Sequence, residues 1–372
     1  MCDDAGVGLG GRQVRADGRA LGGGSGRERG AGSESEPGEG SGVFHEVDAG
    51  PVVPLEPVEA VEVLTLVDNT TDLFLPDEGV AKRTGLVGPR AVATMEGATG
   101  ADALVAEHGF SALVTVTKAG TRHRILFDTG TSPDGMVANM DRLGVDPAEI
   151  EAVVLSHGHF DHTTGLDGLV RRLGRASLPV VIHPHFWRRR RIRLPGREPY
   201  ELPTTSRTAL EGAGFAIVEE RMPSFLLAGS VLVTGEVGRT SGYEPGFGVQ
   251  DAWVDGRWEA DPLVLDDQAL VVDVAGKGLV VLTGCGHAGV VNICRHARRL
   301  AGGRPLYAVV GGFHLNGPAY AGIIPRVLED LAAMEPAALV PTHCSGWRAQ
   351  FAMAARLPEA YVANVVGTRL EL

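Results

Sequence analysis

Cysteine is scarce, with only Cys2, Cys285, Cys294 and Cys344 in 372 residues. That is too few to staple a chain of this length with disulfides, and it suggests a reducing, cytoplasmic compartment. Long apolar runs are missing too. No window reaches the roughly 20 residues that a membrane-spanning helix needs, so no membrane association is expected. The opening "MCDDAGVGLGG" lacks the basic start and apolar run of a targeting signal. Basic charge is also short. With 34 Lys and Arg against 46 Asp and Glu, the formal net charge of −12 argues against general nucleic-acid binding. One local exception is "WRRRRIR", Trp187 to Arg193. It reads either as a solvated face or as a clamp for a phosphate or carboxylate.

Branched and aromatic residues are nearly absent from "GRALGGGSGRERGAGSESEPGEGSG". Such a stretch cannot bury enough surface to offset its ordering entropy, so residues 1–54 are expected to be a disordered tail. Residues 55–372 are then one folded domain, and the apolar fraction of 44% is enough for a sizeable core.

Within that domain, β-branched runs alternate with helix-like stretches. Strands are predicted at 61–67, 111–116, 124–128, 152–156, 179–183, 230–234, 269–274, 278–283, 306–311 and 338–342. Helices are predicted at 133–144, 165–174, 289–301, 320–334 and 347–356. Several strands are apolar almost throughout, which suits sheets covered on both faces. "ALVVDVAGKGLVVLT" reads as a hairpin turning at "AGKG". Two mixed sheets between helices follow from this pattern. Residues 190–230 and 236–268 show poor periodicity and read as long excursions from the core.

The chemistry gathers at "SHGHFDHTTG", residues 156–165. Three histidines and one aspartate occupy six positions directly after the apolar run "AVVLS". In an extended segment, residues two apart point the same way, so His157 and His159 can converge on one ion. Gly158 between them leaves room for the backbone, and Gly165 permits a tight turn into the next helix. Asp161 and His162 can face a second ion. Imidazole nitrogen and carboxylate oxygen suit zinc, and also iron or manganese.

This H-x-H-x-D-H motif resembles the metallo-β-lactamase superfamily, and the upstream "RILFDTG" fits it. The resemblance covers roughly residues 60–372 and implies a four-layer αββα sandwich with its site at one sheet edge. It implies zinc, as two ions, and gives Asp161 a catalytic as well as a ligand role. It makes Asp128 a residue that fixes the loop or a ligand histidine by hydrogen bonds. The pattern also requires a later His, a bridging Asp after a strand, and a final His. His343 in "PTHCSGW" matches the final His. Where Thr-Gly-Asp is expected, "LTGC" places Cys285, and a thiolate also binds zinc. In a second register His287 of "GCGHAG" is the third His, and His314 of "GGFHL" takes the bridging position. The sequence leaves both registers open.

"GCGHAGVVN", "GGFHL" and "PTHCSGW" together resemble one subgroup, the dihydropterin–ribofuranosyl-aminobenzene phosphate synthases. "TLVDNTTD" and "EHGFSALV" match its early segments, which places Asn69 and His108 at the pocket rim. His183 and His185 follow "PVVI" and precede the arginine run. They are expected in the substrate pocket or supporting the metal ligands, with Arg188 and Arg189 holding an anionic substrate if they face the pocket. The resulting expectation is a metal-dependent hydrolase, or a related synthase, acting on a small anionic or phosphorylated molecule. Rival readings are an iron-dependent redox enzyme and a non-catalytic metal-containing ligand binder. No nucleic-acid partner is expected.

Overall fold

The computed structural model describes residues 52–372 apart from 176, together with His45 and Val47. The expected tail, residues 1–54, otherwise lies outside the described residues. The described parts of that segment meet the domain. The Arg239 N–H donates to the His45 carbonyl at 2.7 Å, and the Val53 N–H donates to the Leu300 carbonyl at 2.9 Å.

Two mixed sheets stack face to face. The larger has eight strands, in the order Ala216–Glu219, Pro179–Ile182, Ala152–Val154, Thr121–Phe127, Ser111–Lys118, Ala60–Val67, Arg369–Glu371 and Ala81–Lys82. The other has six, in the order Ser224–Leu226, Val231–Val233, Leu270–Val274, Gly278–Thr283, Leu306–Gly312 and Ala338–Thr342.

Alternation along each strand builds the layers. In Ala60–Val67, Val61 and Val63 enter a cluster between the sheets with Val272, Val280 and Val310. Leu64 and Leu66 point the other way, onto helices Gly135–Leu143 and Leu166–Leu173 through Met136, Met140 and Leu169. On the far side, helices Val290–Leu300, Ile324–Ala332 and Trp347–Arg356 cover the six-stranded sheet through Ile293, Val327 and Met353. Each such buried side chain contributes about 1.5–3 kcal/mol. A register slip of one residue would exchange the two faces, so the pattern fixes the pairing. The result is the predicted αββα arrangement.

Strands Thr121–Phe127, Ala152–Val154 and Pro179–Ile182 run parallel, as do Gly278–Thr283, Leu306–Gly312 and Ala338–Thr342. Their carboxyl ends carry the histidine-bearing loops, the usual place for ligands in α/β sheets. The hairpin at "AGKG" forms as expected, pairing Leu270 with Leu282 and Val274 with Gly278.

The excursions at 190–230 and 236–268 are not structureless. They hold helix Arg207–Gly212, two edge strands, and a third sheet in the order Tyr200–Glu201, Arg190–Ile192, Gln250–Val254 and Arg257–Ala260. These strands are short and charged, so periodicity does not mark them. Among the described residues, no helix is long and apolar enough to cross a membrane.

Candidate metal centre

Ligand atoms converge in three overlapping groups, each with its atoms within 4.8 Å of one another. His157, His159 and His287 form one. Asp161, His162, Cys285 and His343 form another. Cys285, His287 and His314 form the third. Both registers left open by the sequence are therefore partly realised. His287 joins the first histidine pair, Cys285 joins the Asp161 group, and His314 stands against both.

The surroundings decide which nitrogen of each ring faces inward. The Ser156 hydroxyl donates to Asp128 Oδ2 at 2.7 Å, so its oxygen accepts from His157 Nδ1 at 2.8 Å. His162 Nδ1 donates to the same Asp128 oxygen at 2.7 Å. Asp128 Oδ1 accepts the Ser156 N–H at 2.7 Å, so this one carboxylate ties the loop and a histidine together. Gln250 Nε2 donates to Asp261 at 3.0 Å, which turns its Oε1 to accept from His159 Nε2 at 2.5 Å. His343 Nδ1 donates to Asn69 Oδ1 at 3.2 Å. In each of these four rings, when it is neutral, the nitrogen left over carries a lone pair.

Those lone pairs crowd one another. His157 Nε2 and His159 Nδ1 face each other at 2.9 Å; His287, whose Nδ1 has no partner to set its tautomer, brings Nε2 within 3.2 Å of the same His159 atom. Facing lone pairs at such distances repel unless a proton or a cation lies between them. The buried His343 Nε2 has no hydrogen-bond partner. Imidazoles, a carboxylate and a thiol converging in this way fit a divalent transition metal such as zinc.

The backbone is bent to make the site. Asp128, His314 and His343 adopt positive φ of 56°, 45° and 45°, a region that residues other than glycine seldom enter. Gly158 leaves room as expected, since a Cβ there would collide with the Phe186 carbonyl. Gly165 is required for a similar reason, close approach to the Thr129 carbonyl, rather than for a turn with unusual φ.

Charges are divided unevenly. Burial pushes His157 well below the usual histidine range and brings His159 down to about 4. Burial would raise Asp161, but His162 and His343 outweigh it and hold the carboxyl well below its ordinary value. Burial also opposes a charged His162, yet Asp128 and Asp161 push it up to about 9. Burial and the neighbouring Cys344 thiol raise Cys285.

A cavity of about 210 Å³ opens onto these groups, walled by His108, Ile192, Leu202 and Phe247. His108 Nε2 is 3.6 Å from Asp161 Oδ2, and Asn69 Nδ2 donates to the His343 carbonyl at 3.1 Å, so both predicted rim residues reach the site. Four others do not line this cavity. His183 pairs with Glu236, and His185 packs between Arg188 and Arg221. Arg188 also faces Asp261. Arg189 pairs with Glu201 and lies over Trp253 and Trp258. No arginine of the run lines this cavity. Arg190, 2% exposed, pairs with Asp266, whose other oxygen accepts the Gly158 N–H at 2.9 Å. Sequence reasoning missed Gln250, Asp261 and Asp266. The acidic pair in "LDDQALVVDV", set against an apolar strand, was the available signal.

A family model described as the metallo-beta-lactamase superfamily matches residues 106–343. A Methanocaldococcus jannaschii protein named 7,8-dihydropterin-6-methyl-4-(beta-D-ribofuranosyl)-aminobenzene-5'-phosphate synthase is 30% identical over 255 residues, covering 66% of this chain and 83% of that one. An uncharacterized protein of the same organism is 29% identical over 245 residues, covering 66% and 86%. The crystal structure of a metal-dependent hydrolase of the beta-lactamase superfamily aligns with a TM-score of 0.61 at 23% identity. That alignment covers 84% of this chain and 99% of the other, and it speaks for the fold. By its matched sequence, its layered sheets and its convergent ligand loops, the chain belongs to the metallo-β-lactamase superfamily.

Proposed function

We propose that the protein is a metal-dependent hydrolase acting on an ester or phosphoester bond of a small, anionic or phosphorylated molecule. The observation that carries this reading is the meeting of the two main ligand groups on the wall of one cavity. In it, His157, His159 and His287 would hold one zinc ion, and Asp161, His162, Cys285 and His343 would hold the other. His314 adjoins both sets. When bound, such ions lower the pKa of water toward neutrality and polarise a carbonyl or phosphoryl oxygen.

The chain's own groups supply the rest. Asp161, ionised at neutral pH, orients water through a carboxylate oxygen and relays its proton toward the leaving group. His108, whose pKa is lowered by burial and then by His343, stands with Nε2 3.6 Å from Oδ2 of Asp161, where it would receive that proton and hand it on to the leaving group. Ile192, Leu202 and Phe247 keep bulk water away from the reacting bond.

A related synthase is the second reading, favoured by the name of the 30% identical relative. That name supports a pterin- or ribosyl-phosphate-like substrate. Cys294 and Cys344, buried thiols outside the two ligand sets, fit the reducing, cytoplasmic setting expected from the sequence.

Metal analysis beside turnover tests the proposal. Purified protein is expected to carry zinc and to cleave an aryl phosphodiester, an aryl phosphomonoester or a lactone. A chelator should remove that activity and zinc should restore it. Bound metal without turnover on any of the three would favour a binder, and coloured, iron-loaded protein would favour the redox reading.

A further inference from the structure

A second chamber lies beside the metal centre. It is a cavity of about 370 Å³, with Asn69, Asn316, His343, Trp347, Gln350 and Tyr361 among its walls. That volume is ordinary for a small-molecule site. His343 is a wall of both cavities. A molecule reaching from one to the other would hold its reacting bond near Asp161 and its far end in the larger chamber.

The chemistry of the larger chamber is distinct. Trp347, Gln350 and Phe351 lie three and four residues apart on helix Trp347–Arg356, so they share a face. Trp347 is 61% exposed, and its ring stacks on Phe351 with centroids 5.9 Å apart and planes 30° apart. Trp347, an exposed ring at the cavity wall backed by Phe351, offers a flat apolar platform. Around it, the amides of Asn316 and Gln350, the Trp347 indole N–H and the Tyr361 hydroxyl are available. Among the described residues, none of these groups makes a side-chain hydrogen bond.

Charge narrows the ligand further. No lysine or arginine lines the chamber, whereas Asp68 and Asp72 do. Asp68 is already engaged, accepting from the His343 N–H at 2.9 Å, the Asn69 N–H at 2.7 Å and Asn364 Nδ2 at 2.7 Å. A phosphate would meet carboxylates and no cation there, which disfavours it. A flat, uncharged ring with donor and acceptor edges meets what is present.

We propose that this chamber is the recognition subsite for a planar nitrogen heterocycle, stacked on Trp347 and read along its edge by Asn316 and Gln350. That the heterocycle is part of the substrate rests on the hydrolase-or-synthase reading above; its binding does not. Occupancy would be felt at the metal centre, because Asn69 lines the chamber and bonds to both the carbonyl and the Nδ1 of His343.

The test is calorimetric titration of the full-length, zinc-loaded protein with 6-methylpterin, beside ribose 5-phosphate and inorganic phosphate. The pterin is expected to bind. Trp347→Leu should weaken it about tenfold or more, with zinc content unchanged. Gln350→Leu should weaken it severalfold. Absence of pterin binding, or equal binding by Trp347→Leu, overturns the proposal. So does phosphate binding that depends on Trp347, since the ligand class would then be wrong. Trp347-dependent pterin binding in a protein without turnover keeps the subsite and sinks the hydrolase; turnover without such binding does the reverse.

Discussion

Asp128 Oδ2 and His162 Nδ1 lie 2.7 Å apart, with neither side chain exposed. The carboxylate sets which nitrogen of His162 faces Cys285 and Asp161. Asp128→Asn keeps the size and tolerates the positive φ, but removes the charge. It should weaken the ion nearest His162 by roughly 10- to 100-fold. Competition against a chromogenic chelator measures this, and unchanged affinity would remove Asp128 from the account.

The ligand groups predict paired phenotypes. His287→Ala should match His159→Ala, each losing one ion and the activity. Cys285→Ala should match His162→Ala and lose the other ion. His314→Ala, placed against a member of each set, should lower both occupancies. Metal counts per chain across the five variants check the partition, and loss of both ions from every variant would show one indivisible site.

Gln250 sits in a strand of the third sheet and touches the site only through His159 Nε2. Gln250→Leu leaves His159 without its buried acceptor and should weaken metal binding by about tenfold. Gln250→Glu keeps an acceptor and should restore most of that affinity. Equal losses in the two would point to packing instead of ring orientation.

His296 predicts acid sensitivity away from the metals. Burial, then the charge of Arg299, bring it down to about 4 from 6.5. The unfolded chain therefore takes up this proton at higher pH than the folded one. The stability concerned is complete above pH 6.5 and is lost as pH falls toward 4, by up to roughly 3 kcal/mol. Urea unfolding of wild type and His296→Gln at pH 7 and pH 5 should show the variant losing less.

The sheets were legible because their strands are apolar over nearly their whole length. Gly278–Thr283 and Ala338–Thr342 fall at their predicted bounds, since both faces of each are buried. The opening histidine cluster was legible by its local spacing alone. The assignment of Cys285 against His287 was not. Both follow the same strand two residues apart, with Gly286 at a φ of 72° between them, so strand alternation cannot sort them. Partners over a hundred residues away do so, His162 for Cys285 and His159 for His287. The strand "RRI" was hidden for another reason. Its burial comes from ion pairing, Arg190 with Asp266 and Arg191 with Asp251, which carries no hydrophobic period.

The third sheet both roofs the cavity and braces it. Ile192 and the nearby Leu202 and Phe247 shape the space above the ligands, while Gln250 and Arg190 hold His159 and its loop from behind. Swapping the three apolar side chains alters what fits without touching a ligand. Exchanging the sheet wholesale would dislodge a ligand along with the shape. Selectivity can therefore be retuned here one side chain at a time, but the insert cannot be traded between relatives as a free-standing module.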